Sequence, residues 1–375
     1  MCIVTLRMTV ADIEEFFNDW APRWTAWERD NVGLQVGDRS RRVKRILVAL
    51  DVTPEIVGEA IAKKAELIVS HHPLLFRPPS SITSSDAVGR MVLAMTENKI
   101  ALFSAHTNLD FAREGVSFSL ARALGLEKIR FLVPLKDSLV KIAVFVPEAH
   151  VESVSNAMAT AGAGVIGNYS SCAFRVKGTG TFRGSEVAKP FVGKAQHLET
   201  VEEIRLEMIA PRAKSNEVIA AMKLVHPYEE VAYDIYTLEN TNPNFGMGAL
   251  GELRQPTALR PFLTRTKKAL SAESVRFVGD VRHRVRKVAV VGGSGSDLLN
   301  EAVAAKADVF VTADVRYHTF HDAKGRIALV DAGHWETEHP VLSTIESRLH
   351  EMIQRRGETV RVSVTDYSTN PTHCL

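Results

Sequence analysis

Cysteine is scarce in this chain, and the three that occur, Cys2, Cys172 and Cys374, are far apart and form no Cys-x-x-Cys pair. An odd, scattered set excludes a disulfide framework and a thiolate zinc site, and it fits a reducing compartment. A surplus of charge is also missing. The formal net charge of +2 gives no general attraction to nucleic acid or to an anionic membrane, so a nucleic-acid partner would need a local patch. No apolar run approaches the length of a membrane span, so no membrane partner is expected. The first residues, Met1-Cys2-Ile3-Val4-Thr5-Leu6-Arg7, carry neither a basic n-region nor a long apolar h-region. We therefore expect a cytoplasmic protein, starting at Met1 or, with the first seven residues a ragged extension, at Met8. A length of 375 residues with 45% hydrophobic and 24% charged content is enough for two or three globular domains.

Thr9-Val10-Ala11-Asp12 reads as an N-cap with an acidic first turn, and Ile13, Phe16, Phe17 and Trp20 share one helical stripe. Strands and helices then alternate. Strand Ile46 to Leu50 precedes helix Ile56 to Lys64 behind a Thr53-Pro54 cap, and strand Leu67 to Val69 precedes helix Ala87 to Asn98 and strand Ile100 to Phe103. Such alternation implies a parallel sheet with helices on its faces. After residue 130 the pattern changes. Strand Lys141 to Val146 and helix Glu148 to Ala161 lead to an expected hairpin of Cys172 to Val176 with Thr179 to Arg183, then strand Ile204 to Ile209, helix Lys214 to Leu224 and strand Val231 to Leu238. Val146-Pro147 matches Ala210-Pro211, and Val154, Ala157 and Met158 match Val218, Ala221 and Met222, all 64 residues apart. Two strand-helix-strand copies predict a split βαβ, ferredoxin-like module.

From Gly246 the first pattern returns. Val43-Lys44-Arg45-Ile46 aligns with Val285-Arg286-Lys287-Val288, and Glu59 to Ser70 aligns with Glu301 to Thr312, both at an offset of 242. Ile100 to Ala105 aligns with Ile327 to Ala332 at 227, which implies a shorter loop in the second copy. Repeats set the architecture. The expected fold class is α/β: a duplicated α/β domain in two halves with mostly parallel sheets, residues 1–130 and 246–375, interrupted by an inserted ferredoxin-like α+β module over 131–245.

The repeat also locates a site. Ser70-His71-His72-Pro73 ends one strand, and adjacent side chains leave a strand on opposite sides, so the two imidazoles are placed to reach two ions. Asp110 follows the equivalent end of the next strand, and the second half supplies Asp331 to Glu338, in which His334 and Glu338 share one face of a helix beginning near Trp335. Ligands in open α/β sheets bind beyond the carboxyl ends of the strands. Three imidazoles (His71, His72, His334) and two carboxylates (Asp110, Glu338) suit Zn²⁺, Fe²⁺ or Mn²⁺. A bridging carboxylate, Glu338, would hold two such ions in each subunit about 3.5 to 4 Å apart, the spacing of two-metal hydrolases.

Trp27 to Gly37, Ser70-His71-His72-Pro73, His106-Thr107-Asn108-Leu109-Asp110, Asp314-x-x-Tyr317-His318 and Asp331-x-Gly333-His334-x-x-Thr337-Glu338 together resemble the signature runs of the GTP cyclohydrolase 1 type 2 homologues, the NIF-three-like dinuclear metal-centre proteins. The resemblance covers nearly the whole chain. It implies metal ligands at His71, His72, Asp110, His334 and Glu338 and a toroidal homohexamer with its metal sites on an internal cavity. It also implies an insert similar to PII and CutA regulatory proteins, marked by His226-Pro227-Tyr228-Glu229-Glu230. One departure is Ala313-Asp314, where many relatives carry Gly-Asp.

His106 and His318 read as donors behind the ligands or as acid–base groups, the alternative being histidines satisfied by backbone. Asp314 and Asp331 either orient a ligating imidazole or cap helices, and Asp331 is the nearer to His334 in sequence. Gly292-Gly293-Ser294-Gly295-Ser296-Asp297 is a phosphate-holding helix start or a plain Gly-rich turn. The basic runs Arg39 to Arg45 and Arg282 to Lys287 are solvated edges or the lining of a positive channel. Two functions from different classes follow. One is a metal-dependent hydrolase acting on a nucleotide or phosphorylated substrate, with GTP ring opening suggested by the family name. The other is a hexameric scaffold or metal-responsive regulatory binding protein without catalysis.

Overall fold

The opening helix forms where the sequence puts its cap. In the computed structural model, which describes residues 8–373, Thr9 and Asp12 close a reciprocal capping box and Val10–Trp20 is helical. The first seven residues, including the alternative start Met1 and Cys2, and Cys374 lie outside the described residues. Val10, Ile13, Phe17 and Trp20 are buried along one face, each worth about 1.5 to 3 kcal/mol of transfer free energy for a large apolar side chain. The second helix, Pro54–Ala62, starts as expected behind Thr53, whose hydroxyl accepts from Ile56 N.

The chain divides into two compact units, Pro134–Pro243 and the segments on both sides of it. In the flanking unit one five-stranded sheet runs in the order Gly33–Val36, Ala101–Ser104, Leu67–Ser70, Arg45–Ala49, Arg361–Val364. The last four are parallel and the first is antiparallel. A six-stranded sheet runs Arg276–Val278, Ala328–Asp331, Val309–Thr312, Arg284–Val290, Gly246–Ala258, Leu126–Pro134. The sheets carry the duplication in their registers: Ile46 faces Leu67 as Val288 faces Val309, and Leu67 faces Ala101 as Val309 faces Ala328. Every residue of Leu67–Ser70, Ala101–Ser104, Val309–Thr312 and Ala328–Asp331 is buried, the signature of parallel strands covered on both faces.

The two halves exchange elements. Helix Val116–Ala123 and strand Leu126–Pro134, from the first half, pack Phe118, Leu120 and Phe131 into the core of the six-stranded sheet. Helix Val341–Arg355 and strand Arg361–Val364, from the second, pack Ile345, Leu349 and Val362 into the core of the five-stranded sheet. Neither half closes its own core.

Pro134–Pro243 holds a four-stranded antiparallel sheet in the order Phe174–Arg183, Leu198–Pro211, Leu139–Val146, Tyr233–Leu238, with helices Val151–Thr160 and Ser215–Val225 over one face. The hairpin expected between Cys172 and Arg183 does not form. Phe174–Arg183 is a single strand paired along its length with Leu198–Pro211, and the turn lies beyond Arg183. Gly178 and Gly180 are extended, not turning. A glycine inside a strand marks close approach, and a Cβ on Gly180 would overlap the Glu203 carboxylate.

Candidate metal centre

Four imidazoles meet where parallel strands end. His71 N and His72 N both donate toward the neighbouring strand, to Ala49 O (3.2 Å) and Leu50 O (2.8 Å), just past the end of Leu67–Ser70, so the alternation expected of a strand is lost there and both rings turn toward Glu338. His71 is fully buried and His72 partly exposed. His106 follows Ala101–Ser104. His334 opens the short helix His334–Glu338 after Gly333, whose φ of 90° lets the chain turn sharply from the strand into that helix. Ring centroids are 4.8 Å apart for His71 and His72, 5.3 Å for His71 and His106, and 5.6 Å for His72 and His334.

Each ring is tethered at Nδ1. His71 Nδ1–H donates to Ala105 O (2.8 Å), His72 to Asp51 Oδ1 (2.7 Å), His106 to both Asp30 oxygens (3.0 Å each) and His334 to Asp314 Oδ2 (2.6 Å). A proton fixed on Nδ1 leaves Nε2 for a cation, and this outer support is how metal-binding histidines are oriented. Glu338 lies between the rings. Its Oε1 is 3.1 Å from His334 Nε2 and 3.8 Å from His71 Nε2, and its Oε2 is 3.1 Å from His72 Nε2. Asp110 Oδ1 sits 3.8 Å from His71 Nε2. His71 Nε2, Asp110 Oδ1 and Glu338 Oε2 are buried without a hydrogen bond, which is costly unless a cation serves all three. Two overlapping groups, His71, His72, His106 and His72, His334, Glu338, bring their ligand atoms close enough to hold a metal ion.

Without a metal, protons take up the negative charge. Burial opposes charge on His72, but its hydrogen bond to Asp51 and the Glu338 carboxylate beside it outweigh that and hold the ring up at about 10. His334 is held up at about 9, chiefly by Glu338 with help from Asp314. Burial pushes His71 down. Burial also works against the Glu338 carboxylate, yet His334, His71 and His72 hold it well below the usual range, while burial and the Glu338 charge push Asp110 well above. The sign of the resulting pH dependence follows. Folded-state values raised above that of free histidine stabilise the metal-free protein fully below about pH 6.5, and this stabilisation disappears as pH rises through 9 to 10. We expect the melting temperature of chelator-treated protein to fall between about pH 7 and pH 10, and that slope to flatten on metal loading, since bound metal takes the protons' place. Identical slopes with and without metal would refute the site.

The expected ligands His71, His72, Asp110, His334 and Glu338 are brought together, and His106 lies among them. His318 stands apart: it is exposed on helix Tyr317–Ala323, with its ring against Tyr317. The imidazole of His334 is oriented by Asp314, not by Asp331, which binds Arg276, Val315 N and Gly333 N. Sequence proximity misleads here. Asp314 has φ +51°, a left-handed conformation that turns its carboxylate toward His334 and the Ser294 hydroxyl. Two contributors escape the sequence reading. Asp51 and Asp30 orient His72 and His106, and their one available signal was a lone carboxylate at a strand end and in a Gly-punctuated loop. The Gly292 to Asp297 run, expected as a phosphate-holding helix start or a plain Gly-rich turn, packs its backbone against the cluster: Gly293 has φ +63°, and a Cβ there would overlap Glu338 Oε1.

A duplicated α/β fold whose strand ends gather four imidazoles and two carboxylates defines a protein able to hold a metal ion at the junction of its two halves. The chain belongs to the Duf34/NIF3 (NGG1p interacting factor 3) family, whose model matches residues 8–371. It is 41% identical over 359 residues to the GTP cyclohydrolase 1 type 2 homolog of Halalkalibacterium halodurans, covering 95% of this chain and 96% of that one. It is 40% identical over 361 residues to the protein of the same name from Bacillus subtilis, covering 96% of each. Among solved structures, the Bacillus cereus protein related to NIF3 matches with a TM-score of 0.83 at 39% identity, over 98% of this chain and 99% of that one. Among the described residues no helix is long and apolar enough to cross a membrane.

Proposed function

We propose that this protein is a metal-dependent hydrolase in which the cluster around Glu338 would hold two divalent ions, Zn²⁺, Fe²⁺ or Mn²⁺, for action on a nucleotide or phosphorylated substrate. One observation carries the reading. His72 and His334 open onto a cavity of about 500 Å³, while His71 and Glu338 close the opposite side. A centre sealed by protein suits a structural metal, and one with an open face suits catalysis. Bound ions would supply the Lewis acidity that acidifies a water and polarises a carbon or phosphorus electrophile.

The chain's own groups do the rest. His71, His72, Asp110, His334 and Glu338 would hold the metal, oriented by the outer contacts described above. His106, its Nδ1 fixed by Asp30, is the group assigned to hold or move a proton at Nε2. Trp335 and Asn370 to Thr372 wall the cavity, and Arg276, on the same wall and paired with Asp331, offers a cation to an anionic substrate. The curated relatives' name puts GTP ring opening among the reactions to test. A toroidal homohexamer, and an insert similar to PII and CutA regulatory proteins, belong to the same proposal.

The experiment loads purified protein with Zn²⁺, Mn²⁺ or Fe²⁺ and screens GTP, other nucleotides and generic phosphoesters beside Glu338→Gln. Metal-dependent turnover that the variant lacks is expected. Full loading without turnover would move the reading to a scaffold or metal-responsive regulatory protein.

A further inference from the structure

The unit Pro134–Pro243 has a cavity of its own, about 600 Å³, within the size range of small-molecule sites. Its floor is the sheet face opposite the two helices, and loop residues beyond Arg183 and around Tyr228 cover it. The floor is flat for a sequence reason. Gly178 and Gly180 fall on that face of Phe174–Arg183, between Val176 and Phe182, and a Cβ on Gly178 would meet nothing within 4 Å. Phe145, Phe191 and Tyr228 supply aromatic walls, the last two 6.1 Å apart between ring centroids.

Six charged side chains line this space, Lys177, Arg183 and Arg205 against Glu203, Glu229 and Glu230, and Glu229 accepts from Lys189 N (2.9 Å). Glu203 lies over Gly180, and the buried Tyr228 hydroxyl sits beside that carboxylate, its titration pushed up by burial and by the Glu203 charge. Arg205, the cation on the same face, is engaged by Glu207, Nε to Oε1 at 3.0 Å. Lys177, at the rim, is engaged by Glu148 at 3.0 Å. Glu203 has no ion pair among the described residues. A flat floor, ring walls and the Glu203 carboxylate on the floor, with Glu229 and Glu230 also in the lining, select a flat, apolar, positively charged guest.

We propose that this cavity is a binding site for a planar aromatic amine, whose ring lies on the backbone of Gly178 and Gly180 and whose ammonium meets Glu203 and the Tyr228 hydroxyl. The site is independent of the metal centre and of any reaction there. Two probes of one ring and opposite charge, tryptamine and indole-3-acetate, test it by saturation-transfer NMR titration on the full chain in its native assembly. Tryptamine is expected to bind at least about tenfold tighter, the worth of a charged hydrogen bond. Glu203→Gln should erase that preference. Gly178→Val fills the floor with a residue that strands favour, so it should abolish binding of both probes without lowering the melting temperature. Equal binding of the two probes to the unaltered protein, no transfer from either at about 1 mM, or tryptamine binding that survives Gly178→Val, overturns the proposal.

Discussion

Glu338→Gln is expected to empty the metal centre: metal content by mass spectrometry falls from stoichiometric to background, and affinity drops by more than about a hundredfold. The magnitude follows from position. Loss of an outer-shell partner typically costs 10- to 100-fold, and Glu338 is an inner group whose two oxygens face three imidazoles. The neutral amide keeps the shape, so a change is electronic and not a cavity effect. It also removes the carboxylate that holds His72 and His334 charged. The metal-free variant should therefore lose most of the alkaline fall in melting temperature expected of the unaltered metal-free protein. Retention of full metal content with unchanged affinity would remove Glu338 from the centre.

Gly293→Ala should damage the same centre from outside it. The residue neither ligates nor titrates, but its φ of +63° is unfavourable for alanine by about 1 to 2 kcal/mol, and its Cβ would overlap Glu338 Oε1 and come within 3.2 Å of His334 Nε2. The carboxylate must shift, and at least a tenfold loss of metal affinity is expected beside a lower melting temperature. Gly325→Ala separates the two effects. Gly325 has φ +79° with open space around its would-be Cβ, so it carries the backbone cost alone and should leave metal binding intact. Equal metal affinity in both variants would show that the turn does not set the position of Glu338.

Much of this was legible in the sequence because repetition and chemistry reinforce each other. Offsets of 242 and 227 recur as strand registers, and the His-His pair falls where a buried β-branched run stops. The exchange of elements was not legible. An apolar run such as Arg361–Val364 announces a strand but not its neighbour, and pairing with Arg45–Ala49 is decided by long-range packing. The expected hairpin turned at Lys177-Gly178, where glycine signals a turn more often than it signals a strand kept flat beneath a cavity. Asp331 drew attention through nearness in sequence, whereas Asp314 reaches His334 through a backbone conformation that no periodicity announces.

The element exchange bears on synthesis. Arg45–Ala49 is synthesised well before Arg361–Val364, and one of its edges has no partner until that later strand emerges. Pro134–Pro243, which exchanges no whole strand with the rest, can fold while that edge waits. A stalled or prematurely terminated message thus yields a chain with an open hydrophobic strand edge, a natural client for chaperones and a natural seed for aggregates.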